Sequence, residues 1–156
     1  MVQWIGRPIN GTVAVRIDGS KLVVIGGAGL IGSHTVDELL NEDVSEIVVF
    51  DNFERGSLEN LEVALADPRV TIIEGDIAQA IEIRSALDGV AGVFHFAALW
   101  LLHCQEHPRD GFDVNLTGTF NVVRLAAAQM QAIDPLADGE RGVIVATASV
   151  AAFDGQ

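Results

Sequence analysis

The sequence predicts an α/β fold, a three-layer doubly wound parallel sheet with helices on both faces. Short apolar runs alternate with segments of helical periodicity, and glycine, proline and aspartate residues separate them. Strands that alternate with helices are joined by right-handed crossovers and therefore run parallel. The sheet is expected to be truncated after about the fifth strand, the predicted strands being 22–25, 47–50, 70–73, 92–96 and 142–148.

The predicted helices lie between these strands, at 33–41, 57–66, 78–87 and 110–130. The second of them is expected to be amphipathic, with Leu58, Leu61 and Leu65 inward, and to stop at Pro68. The polar segment 134–142 is predicted to be a mobile loop.

Composition limits the classes of partner. The chain has 156 residues, enough for one domain, and 49% of them are hydrophobic, so a sizeable core is available. A net charge of −13 argues against nucleic acid or an anionic membrane as a partner. Cys104 is the single cysteine, which excludes an internal disulfide and fits a reducing compartment. With no signal peptide and no membrane-spanning run evident, we expect a soluble cytoplasmic protein.

Residues 1–20 form a leader with one extra predicted strand, and 21–156 form the predicted single domain. The run 12–17 has strand character and lies between Asn10-Gly11 and Asp18-Gly19, both of which favour turns. An Asp-Gly turn would pair this strand with 22–25 in a hairpin. The first strand of a doubly wound sheet is central, however, and has no free side. The leader therefore either lies elsewhere on the domain or competes for the central position.

A glycine-rich turn follows the first strand and opens the first helix. It consists of Gly26, Gly27, Ala28, Gly29, Leu30, Ile31 and Gly32. We expect Gly27 to make the tight turn, Gly29 to admit a pyrophosphate and Gly32 to let the helix pack on the strand. Asp51 ends the second strand about 20 residues further on, where it would accept hydrogen bonds from a ribose and repel a 2′-phosphate. The pattern indicates a site for NAD in preference to NADP.

Four separated motifs resemble the extended short-chain dehydrogenase family, which includes the NAD-dependent sugar epimerases and dehydratases. They are Gly26 to Gly32, Asp51-Asn52, Gly75-Asp76-Ile77 and His95-Phe96-Ala97-Ala98, and the likeness covers about 21–115. The resemblance implies that Asp76 and Ile77 flank the adenine and that Asn52 and Arg55 lie near the adenosine ribose. It also implies that Ala97 and Ala98 line the middle of the cofactor and that Leu99 and Asn115 belong to the cofactor-binding residues.

The C-terminal part resembles a different branch, the short-chain 3-hydroxyacyl-CoA dehydrogenases. The likeness rests on the run 113–122, on 142–145 and on 147–153, and the leader segment 11–15 is similar to the same branch. The chain therefore has the pattern of a composite, with an epimerase-like cofactor half between hydroxyacyl-CoA-dehydrogenase-like ends. A natural family that combines both sets of features is the competing account.

In both branches the chemistry rests on a Ser, a Tyr and a Lys four residues after the Tyr. Ser149 matches the serine and Asn115 matches an asparagine that supports the lysine, although Ser149 could equally just end a strand. The tyrosine would follow beyond Gln156, and the chain contains no tyrosine and only one lysine, Lys21. Losing positioned acid–base catalysis costs roughly a hundredfold to ten-thousandfold in rate. We therefore expect cofactor binding without meaningful turnover.

Two further functions stay open, namely an active epimerase or oxidoreductase with an unrecognised base, and a methyltransferase that binds S-adenosylmethionine. His103 and His107 flank Cys104 at a spacing that could hold a metal, but too few ligands accompany them and no metal is expected. His95 is expected to be structural, Cys104 to be a semi-buried thiol and the run 100–102 to pack or to line a substrate pocket. The helix 110–130 should keep an uncovered apolar face, which predicts a homodimer or higher homo-oligomer.

Overall fold

A computed structural model describes residues 17–137 and 139–147, and in them the predicted parallel sheet is confirmed. Its strands lie in the order β3-β2-β1-β4-β5 and all pair in parallel. Their bounds are β1 Lys21–Ile25, β2 Glu46–Asp51, β3 Val70–Glu74, β4 Gly92–His95 and β5 Val143–Ala146. The predicted strand at 12–17 lies outside the described residues except for Ile17. The turn after it is confirmed at Gly19, whose φ is 67°.

The central strand β1 pairs on both sides. Leu22 lies opposite Ile47 of β2 and opposite Gly92 of β4, so the strand order reverses direction between β1 and β4. Alternate β1 side chains enter two separate cores, Val23 and Ile25 on one face and Leu22 and Val24 on the other. Both faces of the sheet are therefore covered, as in a doubly wound α/β domain. Such a sheet carries ligands outside the carboxyl ends of its strands, where the order reverses.

Helix α1 (Leu30–Leu39) follows β1 and helix α2 (Ala80–Ala86) follows β3. The predicted start of α2 at Ala78 is wrong by two residues, because the Asp76 carboxylate accepts a hydrogen bond from the Ala78 N–H at 2.9 Å and holds a turn there. The predicted end at Leu87 is confirmed to within one residue, and the chain turns shortly after it at Gly89, whose φ of 66° is readily adopted only by glycine.

The prediction of an amphipathic α-helix over 57–66 is wrong. The segment forms two short 3₁₀ helices, Leu58–Leu61 and Ala64–Ala66. Leu61 is buried, but Leu58 and Leu65 are half exposed, at 53% and 51%. The backbone is diverted because Ala28 O accepts hydrogen bonds from the Ser57 N–H and from Asn60 Nδ2, which tie the start of this segment to the glycine-rich turn.

The predicted helix 110–130 is helical but divided. It consists of helix α4 (Pro108–Gly111), a π-helical segment (Phe112–Gly118) and helix α5 (Thr119–Met130). A further helix that the sequence did not predict, α3 (Leu101–Glu106), precedes it. A π-helical turn widens the helix by one residue and often marks a functional site. Gly118, the last residue of the π-helical segment, packs against the Ile77 side chain, which leaves no room for a Cβ at this position.

Several large apolar side chains in the segment from Trp100 to Val123 face solvent. Of the two roles predicted for the run 100–102, packing is wrong, since Trp100, Leu101 and Leu102 are 54%, 71% and 53% exposed, and lining of a substrate pocket stays a prediction. The apolar face predicted on the long helix is present at Leu116, Phe120 and Val123. No helix in the described part of the chain combines the length and apolar character needed to cross a membrane.

Candidate functional site

The glycine-rich turn begins at the carboxyl end of β1. Gly26, not the predicted Gly27, makes the tight turn, with a φ of 75°. A Cβ at Gly26 would lie 2.7 Å from the backbone N of Ala97, so β1 and the segment after β4 approach each other at this point. Gly26 therefore satisfies two demands that only glycine meets, a left-handed backbone and a close contact.

The other glycines of the turn differ in what surrounds them. A Cβ on Gly27 would lie 2.9 Å from Val24 O and from Val49 Cγ1, whereas one on Gly32 would overlap the backbone of Gly26 and Gly27. The packing role predicted for Gly32 is confirmed, because α1 can lie on the turn only without a side chain there. Gly29 is more open, and the nearest atom to its Cβ position is Gly26 O at 3.3 Å.

The N-terminus of helix α1 opens toward solvent beside this turn. Among the described residues no side chain caps it, and Leu30 and Ile31 are 73% and 61% exposed. The first N–H groups of a helix have no partner within the helix, and the helix dipole places partial positive charge on them. This helix terminus can therefore bind an anionic group such as a phosphate.

The Asp51 carboxylate is the buried charge of the site, with 8% of the residue exposed. Its Oδ2 accepts a hydrogen bond from the Ala28 N–H and its Oδ1 accepts one from the Phe53 N–H, each at 2.9 Å. Phe53 has a φ of 55°, which is uncommon outside glycine and turns the chain back over the carboxylate. Neither bond is evident from the sequence, and through the bond to Ala28 the Asp51 carboxylate holds the glycine-rich turn.

Asn52 and Arg55 follow Asp51 on the same loop, and both are exposed. Asn52 Oδ1 accepts a hydrogen bond from the Glu54 N–H at 3.2 Å. The Arg55 guanidinium carbon lies 5.4 Å from the centre of the Trp100 ring, a cation–π contact between the loop after β2 and the segment after β4. Beside this loop, at the ends of β2 and β3, is an open β2–β3 cleft lined by Phe53, Gly56, Ser57, Leu58, Glu59 and Glu74.

Asp76 and Ile77 lie just beyond the end of β3. The Asp76 N–H donates a hydrogen bond to Glu82 Oε2 at 2.8 Å, which fixes the loop against α2. The Ile77 side chain is 4% exposed and belongs to the core, and the expected place of Ile77 beside an adenine stays a prediction. Only the backbone of Ile77 is left to face a ligand.

Ala97, Ala98 and Leu99 follow β4 and are held by Asn115 of the π-helical segment. Asn115 Oδ1 accepts a hydrogen bond from the Leu99 N–H at 2.7 Å, and its Nδ2 donates to Leu99 O at 2.9 Å. This two-way bond positions the segment against Gly26. The side-chain amide of Asn115 is therefore engaged with the backbone of Leu99, and the expected support of a lysine by Asn115 stays a prediction.

A second opening, the β4–β5 cleft, lies on the other side of the glycine-rich turn. It is lined by His95, Phe96, Ala97, Ala98, Asn115, Thr119 and Thr147. His95 ends β4, is 4% exposed, and has its Nε2 3.0 Å from Thr119 Oγ1. Burial lowers the pKa of the His95 imidazole and favours its neutral form. Sequence reasoning missed Thr119, although its position four residues after Asn115 places both on one side of a helix.

The remaining candidates are Ser149 and the residues of helix α3 and the position after it, namely His103, Cys104 and His107. Ser149 falls among the residues that the structure does not describe. His103 Nε2 lies 3.0 Å from Asp110 Oδ2, and the rings of His103 and His107 are 5.0 Å apart. Within 17–137 and 139–147, no three His, Cys, Asp or Glu side chains are grouped as a metal ion would need. Cys104 is partly buried, as predicted.

Comparison with known proteins gives matches in both branches that the motifs indicated. Residues 23–134 match the 3-beta hydroxysteroid dehydrogenase/isomerase family. UDP-glucuronic acid decarboxylase 3 of Arabidopsis thaliana is 34% identical over 107 residues, or 68% of this chain and 30% of that protein. The 3-hydroxyacyl-CoA dehydrogenase type-2 of Drosophila melanogaster is 34% identical over 154 residues, or 86% of this chain and 58% of that protein. The chain thus spans from about a third to somewhat over half of these curated relatives.

Solved structures share the fold. The dTDP-glucose 4,6-dehydratase of Streptomyces venezuelae, solved with NAD and TYD bound, superimposes with a TM-score of 0.65 at 33% identity. The match covers 70% of this chain and 36% of that one. The methyltransferase alternative finds no support among these similarities. The chain belongs to the 3-beta hydroxysteroid dehydrogenase/isomerase family, in the short-chain dehydrogenase superfamily of Rossmann-like domains.

Proposed function

We propose that this domain binds NAD along the carboxyl edge of its sheet, with the pyrophosphate on the Gly26–Gly32 turn. The observation that carries the proposal is the Asp51 carboxylate, which two backbone N–H groups hold beside the open N-terminus of α1. A fixed carboxylate can accept hydrogen bonds from a ribose diol, and exposed helix amides can bind a diphosphate. The related dehydratase, whose structure contains NAD, supports the choice of cofactor.

The two clefts on either side of the turn give the cofactor its direction. Asp51 ends β2, so the adenosine half belongs in the β2–β3 cleft, next to Asn52 and Arg55. The nicotinamide half then extends into the β4–β5 cleft, past Ala97 and Ala98. This arrangement has one nucleoside on each side of the position where the strand order reverses. The buried negative charge of Asp51 disfavours a 2′-phosphate and selects NAD over NADP.

Calorimetric titration of the chain and of the variant Asp51→Ala with NAD and with NADP tests this proposal. Loss of hydrogen bonds to a charged acceptor should weaken NAD binding about tenfold to a hundredfold. The affinity for NADP should fall little, because the substitution also removes the repulsion between the Asp51 carboxylate and the 2′-phosphate. The ratio of the two affinities is the decisive quantity, since general loosening of the turn would reduce both alike.

The variant Asp88→Ala is the matched control, because Asp88 is an exposed aspartate in the loop after α2. It should change neither affinity. An equal loss for NAD and NADP in Asp51→Ala would show that Asp51 does not select the ribose. Failure of the unsubstituted chain to bind NAD would overturn the proposal.

The reaction of the relatives is a separate matter, because these 156 residues contain no tyrosine and a single lysine. Lys21 begins β1 at the opposite edge of the sheet and lies 3.7 Å from Glu46 in an ion pair. We therefore propose cofactor binding without efficient turnover by this chain. Sustained conversion of a sugar nucleotide or a hydroxyacyl substrate in the calorimetry sample would favour the alternative, an enzyme with an unrecognised base.

We also propose that the exposed apolar stripe of Leu116, Phe120 and Val123 mediates homo-oligomer formation.

A further inference from the structure

His95 is a buried titratable group whose two ring nitrogens have different surroundings. Its Nε2 lies 3.0 Å from Thr119 Oγ1. Its Nδ1 is fully enclosed and has no hydrogen-bond partner among the described residues. A neutral imidazole carries one proton, on either nitrogen, and the surroundings decide which tautomer costs less.

The enclosed nitrogen sets the tautomer. A proton on Nδ1 would leave a buried N–H donor without an acceptor, and such donors are rarer in folded proteins than unsatisfied acceptors. A proton on Nε2 instead leaves only a lone pair unsatisfied at Nδ1, and the Nε2–H donates to Thr119 Oγ1. The doubly protonated ring is disfavoured as well, because burial lowers the pKa of His95.

The tautomer in turn orients the Thr119 hydroxyl. An oxygen that accepts from His95 Nε2–H cannot also direct its own proton back at that nitrogen. Helical threonines often donate to the carbonyl four residues earlier, which here is that of Asn115, but the structure contains no such bond. Thr119 is partly exposed and lines the β4–β5 cleft, so its proton is free to point into that cleft.

We propose that His95 is a positioning residue that holds the Thr119 hydroxyl as a hydrogen-bond donor to a carbonyl-type acceptor of the ligand in the β4–β5 cleft. This inference rests on the proposed function, which assigns that cleft to the nicotinamide half of the cofactor. The nicotinamide carboxamide oxygen is an acceptor of the required kind. Thr119 is then a binding residue for that half, whereas Asp51 serves the adenosine half.

The tautomer can be measured without any ligand, by ¹⁵N NMR of the histidine-labelled chain near neutral pH. The chain has four histidines, and the His95 signals are those that shift when Thr119 is replaced by Val. We expect a protonated Nε2 and an unprotonated Nδ1 in the unsubstituted chain. A protonated Nδ1 would overturn the inference irrespective of cofactor binding.

The donor role is measured by comparing NAD with ADP-ribose, which lacks the nicotinamide. Thr119→Val keeps the shape of the side chain and removes the hydroxyl. It should weaken the binding of NAD about threefold to tenfold and change the affinity for ADP-ribose little. Thr119→Ser should retain most of the NAD affinity. Thr117→Val is the matched control, because it removes a hydroxyl from the π-helical segment at a position that does not line the cleft. It should change neither the affinity for NAD nor the affinity for ADP-ribose.

The outcomes separate the two proposals. If Thr119→Val lowers the affinities for NAD and ADP-ribose equally, or lowers neither, the donor role of Thr119 is overturned. The proposal that the domain binds the cofactor is unaffected by either result. Absence of NAD and ADP-ribose binding by the unsubstituted chain would overturn the proposed function and the donor role together. The NMR result on the tautomer would still stand.

Discussion

The two halves of the sheet hold their parts of the site by different means. On the β1–β2 side, the backbone forms most of the site, through glycine contacts, open helix amides and one carboxylate bound by two N–H groups. On the β4–β5 side, side chains hold the site, through the pairs His95 with Thr119 and Asn115 with Leu99. β2 lies inside the sheet and is almost entirely buried, whereas β5 is an edge strand whose residues are half-buried or exposed.

This difference shows where each half can tolerate change. A site built from backbone packing fails as a whole when one contact is blocked, because the interior is close-packed and adjusts little. A site built from side-chain hydrogen bonds loses one interaction at a time. The first half therefore couples binding to folding, and the second half can be altered residue by residue.

The largest effect is expected from Gly32→Ala. The added methyl group would overlap the backbone of Gly26 and Gly27, so α1 must move away from the turn. Overpacking of this kind costs about 1–3 kcal/mol or more, and we expect about 3 kcal/mol because both neighbours are backbone. Urea unfolding followed by circular dichroism measures the loss.

Gly29→Ala is the matched change, because its Cβ would lie 3.3 Å from Gly26 O and no closer to any other described atom. It should keep the fold to within about 1 kcal/mol and weaken NAD binding, since the methyl group faces the open side of the turn. Similar stabilities for the two variants would refute the distinction drawn between these glycines.

An intermediate effect is expected from His95 on the pH dependence of stability. Burial lowers the pKa of His95 in the folded state, so below about pH 6.5 the unfolded chain binds more protons than the folded chain. Stability therefore decreases as the pH is lowered below this value. His95→Gln should remove this part of the slope, whereas His34→Gln, at an exposed position, should keep it. Urea midpoints at about pH 5.5 and about pH 7.5 are the measurement. A slope that persists in His95→Gln would contradict the assignment.

The smallest effect on the fold is expected from Phe120→Ser, on the exposed stripe of the second half. Phe120 is 63% exposed, so its loss should leave stability nearly unchanged while reducing homo-oligomer formation in light scattering. Val63→Ser, at a similarly exposed apolar position of the first half, should leave the association state as it is. A monomeric unsubstituted chain at tens of micromolar would contradict the proposed association.

The sequence predicted the first half well because its signals are local. A strand, a glycine-rich turn and a helix follow one another, and Asp51 ends the neighbouring strand, so each element is visible in a short window. The buried bonds of Asp51 were not predicted, because the Ala28 N–H comes from another part of the chain. The choice of Gly26 as the left-handed residue depends on Ala97, which is still more distant in sequence.

The second half was predicted less well because its geometry depends on contacts between elements. Periodicity indicated one helix at 110–130, whereas packing against Ile77 and the bonds from Asn115 accompany a π-helical turn. The segment 57–66 of the first half was predicted wrongly for the same reason, because it has helical spacing but bonds to Ala28 O fix another path. His95 was identified from its motif, but its partner Thr119 was missed, because the spacing from Asn115 places both residues on one helix face without saying that this face meets the end of β4.

The strand order also has a consequence for how the domain is assembled. Leu22 pairs with Ile47 on one side but with Gly92 on the other, so joining β4 to β1 closes a far longer loop than joining β2 to β1. Loop-closure entropy makes the longer closure about 1 kcal/mol more costly. The β1–β4 pairing is thus the one whose opening in the native sheet releases the longest closed loop and so gains the most chain entropy.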